Sequence, residues 1–219
     1  MPPVTPATIA RLPHYPCSLA LRSALRPLLS SNPTAVRNYP IPRSNATSIL
    51  ARSQHNMASF PQPNADRPKH EMAYFPDMTT SLPSRSGKFR RVLWTGLYSQ
   101  LVLMTIPVNG EIGDEKHTVD QALTFTSGVG RATIAGKDQE VKAGDLMIVP
   151  AGTQHQFINT GPNPLVLYTL YSPAEHAART VHDDKAQGDR EDDEGIDVPP
   201  AWSRRSKADN EKDGYVKVP

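Results

Sequence analysis

The chain has 219 residues, a formal net charge of +2, 22 prolines and only 6% aromatic residues. That length allows one domain with a core plus extensions, and so much proline with so few aromatics places part of the chain outside packed structure. The charge sums a head (residues 1–65) with six Arg and no acid and a tail (residues 183–219) with eleven acidic and seven basic residues, so no nucleic-acid partner is implied.

The head, from Met1 to Pro63, is rich in Pro, Ser, Ala and Arg. A short helix is predicted around Ser18–Leu29, where Leu21, Leu25 and Leu28 fall on one side, with Pro27 working against it. An Arg- and Ser-rich, acid-free composition fits a mitochondrial transit peptide. The nine prolines before residue 43 fit a disordered extension instead, and Met57 offers a later start that would leave the protein cytoplasmic. Cys17 is the single cysteine, so no intrachain disulfide forms. No apolar run approaches the roughly 18 residues a membrane-spanning helix needs, so no membrane partner is expected.

After a linker, residues 64–84, the texture changes. Strands are predicted at Arg91–Thr95, Gln100–Pro107, Glu115–Val119, Ala122–Thr126, Arg131–Ala135, Gln139–Lys142, Leu146–Val149, His155–Asn159 and Leu165–Tyr171. Turns hold Gly96, Asn109-Gly110, Gly128, Gly136, Gly144, Gly152 and Gly161-Pro162-Asn163. Short strands with frequent turns and no long helix predict an all-β sandwich or small barrel over residues 85–176. Residues 177–219 lose the apolar pattern and read as a charged, flexible tail, with His176 and His182 exposed and Trp202 or Tyr215 able to pin part of it.

Alternate residues of a strand share a face. Glu115, His117 and Gln121 therefore share one face if their strand persists, and His155, Phe157 and Asn159 share another. Both faces can look into a closed barrel. Buried polar groups without partners are costly, and a divalent metal would satisfy Glu115, His117, Gln121 and His155 together. Leu123, Phe125, Met147 and Phe157 read as core, and Tyr98, Tyr168 and Tyr171 as edge packing.

The stretch Gly144-x5-Pro150-x-Gly152-x2-His155-x3-Asn159 resembles the second motif of the cupin family of small β-barrels. Gln121 to Gly128 resembles the end of the first motif, with Gln in the Glu position, so that His117 and Glu115 fall on its two His positions. Fifteen residues separate Gly128 from Gly144, which is similar to compact single-domain cupins, and the string from Glu111-Ile112-Gly113 through His117 and Asp120-Gln121 resembles a subgroup of small microbial cupins labelled mannose-6-phosphate isomerase-like. The resemblance implies a double-stranded β-helix, or jelly roll, with disordered extensions. It also implies a metal held by Glu115, His117, His155 and Gln121, where the family usually has three His and one Glu.

Two imidazoles and one carboxylate with open positions suit non-haem Fe(II), and Mn, Ni or Zn as well. Three functions follow as expectations. The first is an oxygenase-type enzyme on a small organic molecule, with Glu115 and Gln121 in the catalytic set. The second is a redox-neutral sugar isomerase or epimerase using a carboxylate base. The third is a non-catalytic binding barrel. A homodimer is expected to cover the edges of the first two strands.

Overall fold

Apolar residues at every second position build the strands and decide which way they face. The computed structural model describes residues 63–79 and 87–217, all within one compact unit, Ala51–Pro219. The expectations for residues 1–62, including the targeting segment, the helix near residue 20 and the Met57 start, lie outside the described residues.

Among the described residues ten strands form: β1 Arg90–Thr95, β2 Gln100–Ile106, β3 Glu111–Glu115, β4 Asp120–Ser127, β5 Val129–Ile134, β6 Lys137–Lys142, β7 Leu146–Val149, β8 His155–Asn159, β9 Leu165–Ser172 and β10 Val181–His182. They make a six-stranded sheet in the order β10-β1-β2-β9-β4-β7 and a four-stranded sheet in the order β3-β8-β5-β6. Every pairing is antiparallel. The all-β jelly roll of the sequence reading is therefore the fold, and its inner faces meet in a core that includes Val92, Met104, Leu123, Phe125, Phe157 and Leu167. Phe125 and Phe157 cross that core with ring centroids 6.0 Å apart. Each such side chain contributes about 1.5–3 kcal/mol by leaving water.

On the outer face of the larger sheet, Leu93, Leu103 and Val166 form a second apolar cluster beneath Phe75 and Met78. Asn159 closes the far end of β8. Its amide nitrogen donates to the Ile106 and Asn163 carbonyls at 3.0 and 2.9 Å, and its oxygen accepts from Gly161 N at 3.0 Å.

Two expectations need correction. The predicted strand Glu115–Val119 is instead a strand that ends at Glu115, followed by a turn. Its ladder stops at the pair Glu115↔His155, where β8 begins, so no partner remains for residues 116–119.

The segment 177–217 is packed on the barrel. It supplies β10, the helix α1 (Lys185–Asp193), a short 3-10 turn at Ala201–Arg204 and the helix α2 (Lys207–Lys212). His176 and His182 are buried, not exposed, because acids of this segment pair with them: Asp197 with His176 at 2.8 Å and Glu191 with His182 at 3.0 Å. Charge that looked like a solvated run supplies the counter-groups. Of the two aromatics named for pinning the tail, Tyr215 stacks under Arg67 at 3.8 Å.

The edges that suggested a homodimer are covered within the chain. The outer edge of β1 pairs with β10 (Arg90↔His182, Arg91↔Val181), and β2 lies between β1 and β9.

Candidate metal centre

Two strands and the turn that follows one of them bring the site together. β8 places His155 inward, with Phe157 and Asn159 on the same face, and all three are buried. β3 ends with Glu115 opposite His155. The turn between β3 and β4 carries His117, and Gly152 N donates to the His117 carbonyl at 2.8 Å. That bond ties the Pro150–Gly152 turn to the His117 loop. Convergence of Glu115 and His117 thus comes from a turn and not from strand alternation.

The side chains meet at one spot. His117 Nε2 lies 3.2 Å from Glu115 Oε1, and His155 Nε2 lies 3.6 Å from the same oxygen. The two imidazole centroids are 5.2 Å apart. One ligand atom from each of Glu115, His117 and His155 lies within 4.8 Å of the others. Two donors each about 2.1 Å from one ion can be up to about 4.2 Å apart, so the two separations from Glu115 fit.

The tautomer of His155 fits too. Its Nδ1 lies 2.9 Å from the Thr153 carbonyl, which only accepts, so Nδ1 carries the hydrogen. Nε2 is then a bare lone pair, buried with no hydrogen-bond partner. An unpartnered lone pair facing a carboxylate calls for a cation.

Electrostatics agree. Burial works to raise the Glu115 pKa, but its hydrogen bond to His117, together with the His117 and Arg90 charges, outweighs it and holds the carboxyl well below its ordinary range. Burial works to lower the His117 pKa, but the Glu115 and Glu175 carboxylates raise it to about 9. With a carboxylate facing each ring nitrogen, the His117 imidazole keeps its second proton to a higher pH than a free imidazole does.

Gln121 is inward and buried, as read from sequence, but it is bound elsewhere. Its amide nitrogen donates to Tyr171 Oη at 3.0 Å, and its Oε1 is buried without a partner. Tyr171, expected at an edge, is fully buried, with its ring centroid 5.4 Å from that of His117. Its burial, the largest influence, pushes its hydroxyl far above the ordinary range, so it stays protonated.

Sequence reading missed Glu175, Arg90 and Asp197. Glu175 Oε1 lies 3.0 Å from His117 Nδ1. Arg90, 3% exposed, pairs with Asp192 at 3.3 Å and Asp197 at 3.6 Å. No motif spacing marks them; the cue is that Glu175 and His176 come within four residues of the end of a core strand with no turn glycine between.

Comparison with known proteins agrees with this fold. Residues 102–171 match a family model described as Cupin domain. A Bacillus subtilis protein named "Uncharacterized protein YrkC" is 40% identical over 110 residues, 47% of this chain and 59% of that protein. "Uncharacterized protein L612" of Acanthamoeba polyphaga mimivirus is 39% identical over 94 residues, 40% of this chain and 58% of that protein. The chain thus spans less than two thirds of the length of these curated relatives. The crystal structure of BH2720 from Bacillus halodurans is similar with a TM-score of 0.52 and 33% identity, covering 57% of this chain and 99% of that one.

Proposed function

The chain belongs to the cupin superfamily, and from that footing we propose that it holds a divalent transition metal and acts on a small organic molecule by oxygenase-type chemistry. The observation that carries this reading is the bare, buried Nε2 of His155 beside the ionised Glu115 and the His117 imidazole. Glu115, His117 and His155 are the residues that would hold the ion. Gln121, whose Oε1 has no partner, would supply a neutral fourth donor or a contact to substrate. A bound ion of this ligand type supplies Lewis acidity or one-electron chemistry at its open positions.

The protein's own residues do the rest. Tyr171 keeps its proton and holds Gln121. Core residues Leu123, Phe125 and Phe157 exclude water behind the site. A redox-neutral isomerase would need a carboxylate base free of the ion. Both carboxylates here, Glu115 and Glu175, are already bound to imidazoles, which favours the oxygenase.

The test is elemental analysis of protein purified without added metal, repeated on the double variant His117→Ala, His155→Ala. Stoichiometric metal in the wild type and none in the variant is expected. Metal surviving in the variant would refute the ligand set. Oxygen uptake coupled to turnover is expected from the loaded protein; equal turnover in anaerobic buffer would rule out the oxygenase.

A further inference from the structure

We propose that Glu175 is a positioning residue for the ion site, and that the segment after the last core strand is strapped down so as to hold it there. This rests on the ion-binding reading above. His155 is oriented by its own chain, through the Thr153 carbonyl. His117 has no such support: it sits in a turn between strands, and its ring meets Glu115 on one side and Glu175 on the other. Glu175 Oε1, 3.0 Å from Nδ1, accepts that nitrogen's hydrogen and leaves Nε2 to face the ion. A carboxylate in this position fixes the ring and makes the ligating nitrogen more basic.

The stretch from Glu175 to Ala177 is held by two buried side chains from distant parts of the sequence. Gln100, on β2, accepts from Glu175 N at 3.3 Å and from His176 N at 3.0 Å. It donates to the His176 carbonyl at 2.7 Å and to Thr95 Oγ1 at 3.0 Å, so both its donors and its acceptor oxygen are occupied. Asp197, beyond α1, accepts from Ala177 N at 2.6 Å and from Thr180 Oγ1, and its other oxygen meets His176 Nδ1 at 2.8 Å. Ala174 and Ala178 are buried on either side. Buried Arg90 faces Asp197 at 3.6 Å and anchors it to β1. The strap therefore runs from Gln100 through Glu175 and His176 to Asp197, and the acidic tail becomes part of the site.

The Glu175 side chain is 20% exposed, so its truncation spares the core. The experiment is titration of Co(II), and of Zn(II) against a chelator, into full-length wild type, Glu175→Ala, Glu175→Gln, Asp197→Asn and the double variant Glu175→Ala, Asp197→Asn. Glu175→Ala is expected to weaken binding by about 10–100-fold, to alter the Co(II) visible spectrum, and to leave the protein folded. Glu175→Gln keeps an acceptor oxygen without the charge, so an intermediate loss is expected. Asp197→Asn is expected to weaken binding in wild type but to add nothing to Glu175→Ala, since both act through one contact.

Glu175→Ala binding within twofold of wild type, with an unchanged Co(II) spectrum, would overturn the role of Glu175. Fully additive losses in the double variant would overturn the strap. Wild type that takes up neither ion would instead sink the ion-binding reading, and this inference with it.

Discussion

Glu115 and His155 are register partners at the last rung of the β3–β8 ladder, and their side chains meet at 3.6 Å. The rung forms because β3 slips in register between Ile112 and Glu115, next to Gly113 at φ +90°. A Cβ at Gly113 would lie 2.7 Å from the His155 carbonyl oxygen. Gly113→Ala is therefore expected to lose about 1–2 kcal/mol from its left-handed backbone alone, more from the clash, and to weaken ion binding as well. Gly136→Ala is the control: φ is +76° but nothing lies within 4 Å of its Cβ. It is expected to cost stability and leave ion binding intact. Thermal melts and Zn(II) titrations of the two variants check this; equal ion binding in both would separate the register slip from the site.

Two positions of the site were legible because strand alternation governs them. His155 and Gln121 point inward as the period of two requires. Glu115 and His117 were named correctly as neighbours for the wrong reason, since a turn, not a shared strand face, joins them. Glu175, Arg90 and Asp197 were not legible. Their roles depend on which strands close the sheet and where the chain travels afterwards, and local composition does not encode that. The tail from residue 177 misled for a related reason: a high density of charge reads as solvated unless the buried cations it answers, Arg90 above all, are known beforehand.

Gln121 and Glu115 are expected to separate on mutation. Glu115→Gln removes the carboxylate shared by both imidazoles and is expected to weaken ion binding by more than the roughly 10–100-fold that loss of a ligand's hydrogen-bond partner causes. Gln121→Leu takes away the partner of Tyr171 Oη, leaving a buried hydroxyl unsatisfied. A destabilisation of about 1–3 kcal/mol is expected, with ion affinity changed less than in Glu115→Gln. Chemical denaturation and chelator competition on the two variants decide it. The reverse order of affinities would make Gln121 a principal ligand.

Removing residues 177–219 is expected to expose the β1 edge that β10 now covers. An open strand edge with Val92 and Leu93 beside it invites pairing with another chain. The truncated protein should elute as larger species and melt lower, because Arg90 also loses Asp192 and Asp197. A monomer with the full-length melting temperature would show that this segment is dispensable for the barrel.

The pH dependence of stability follows from His176 and His117, which titrate in opposite senses. Burial, then the nearby Arg90 charge, lowers the His176 pKa despite its bond to Asp197. The groups facing it are Arg90 with Asp192, Asp197, Tyr171 at 5.1 Å and His117 at 6.4 Å between ring centroids. With the folded value below the ordinary 6.5, the unfolded chain binds more protons in that window, so stability falls as pH drops below about 6.5. Asp197, held at about 2 against burial by its hydrogen bonds, adds stability above about 4 that is lost as pH falls toward 2. His117 is raised to about 9, so its contribution is complete below about 6.5 and is lost as pH rises through 9. The metal-free protein should therefore melt highest near pH 6.5. His176→Gln, which can still donate to Asp197, should flatten the acid limb. A bound ion replaces the His117 proton and should flatten the alkaline limb. Melting curves from pH 4 to 9.5, with and without Zn(II), test both; an alkaline limb that Zn(II) leaves unchanged would mean that His117 does not meet the ion.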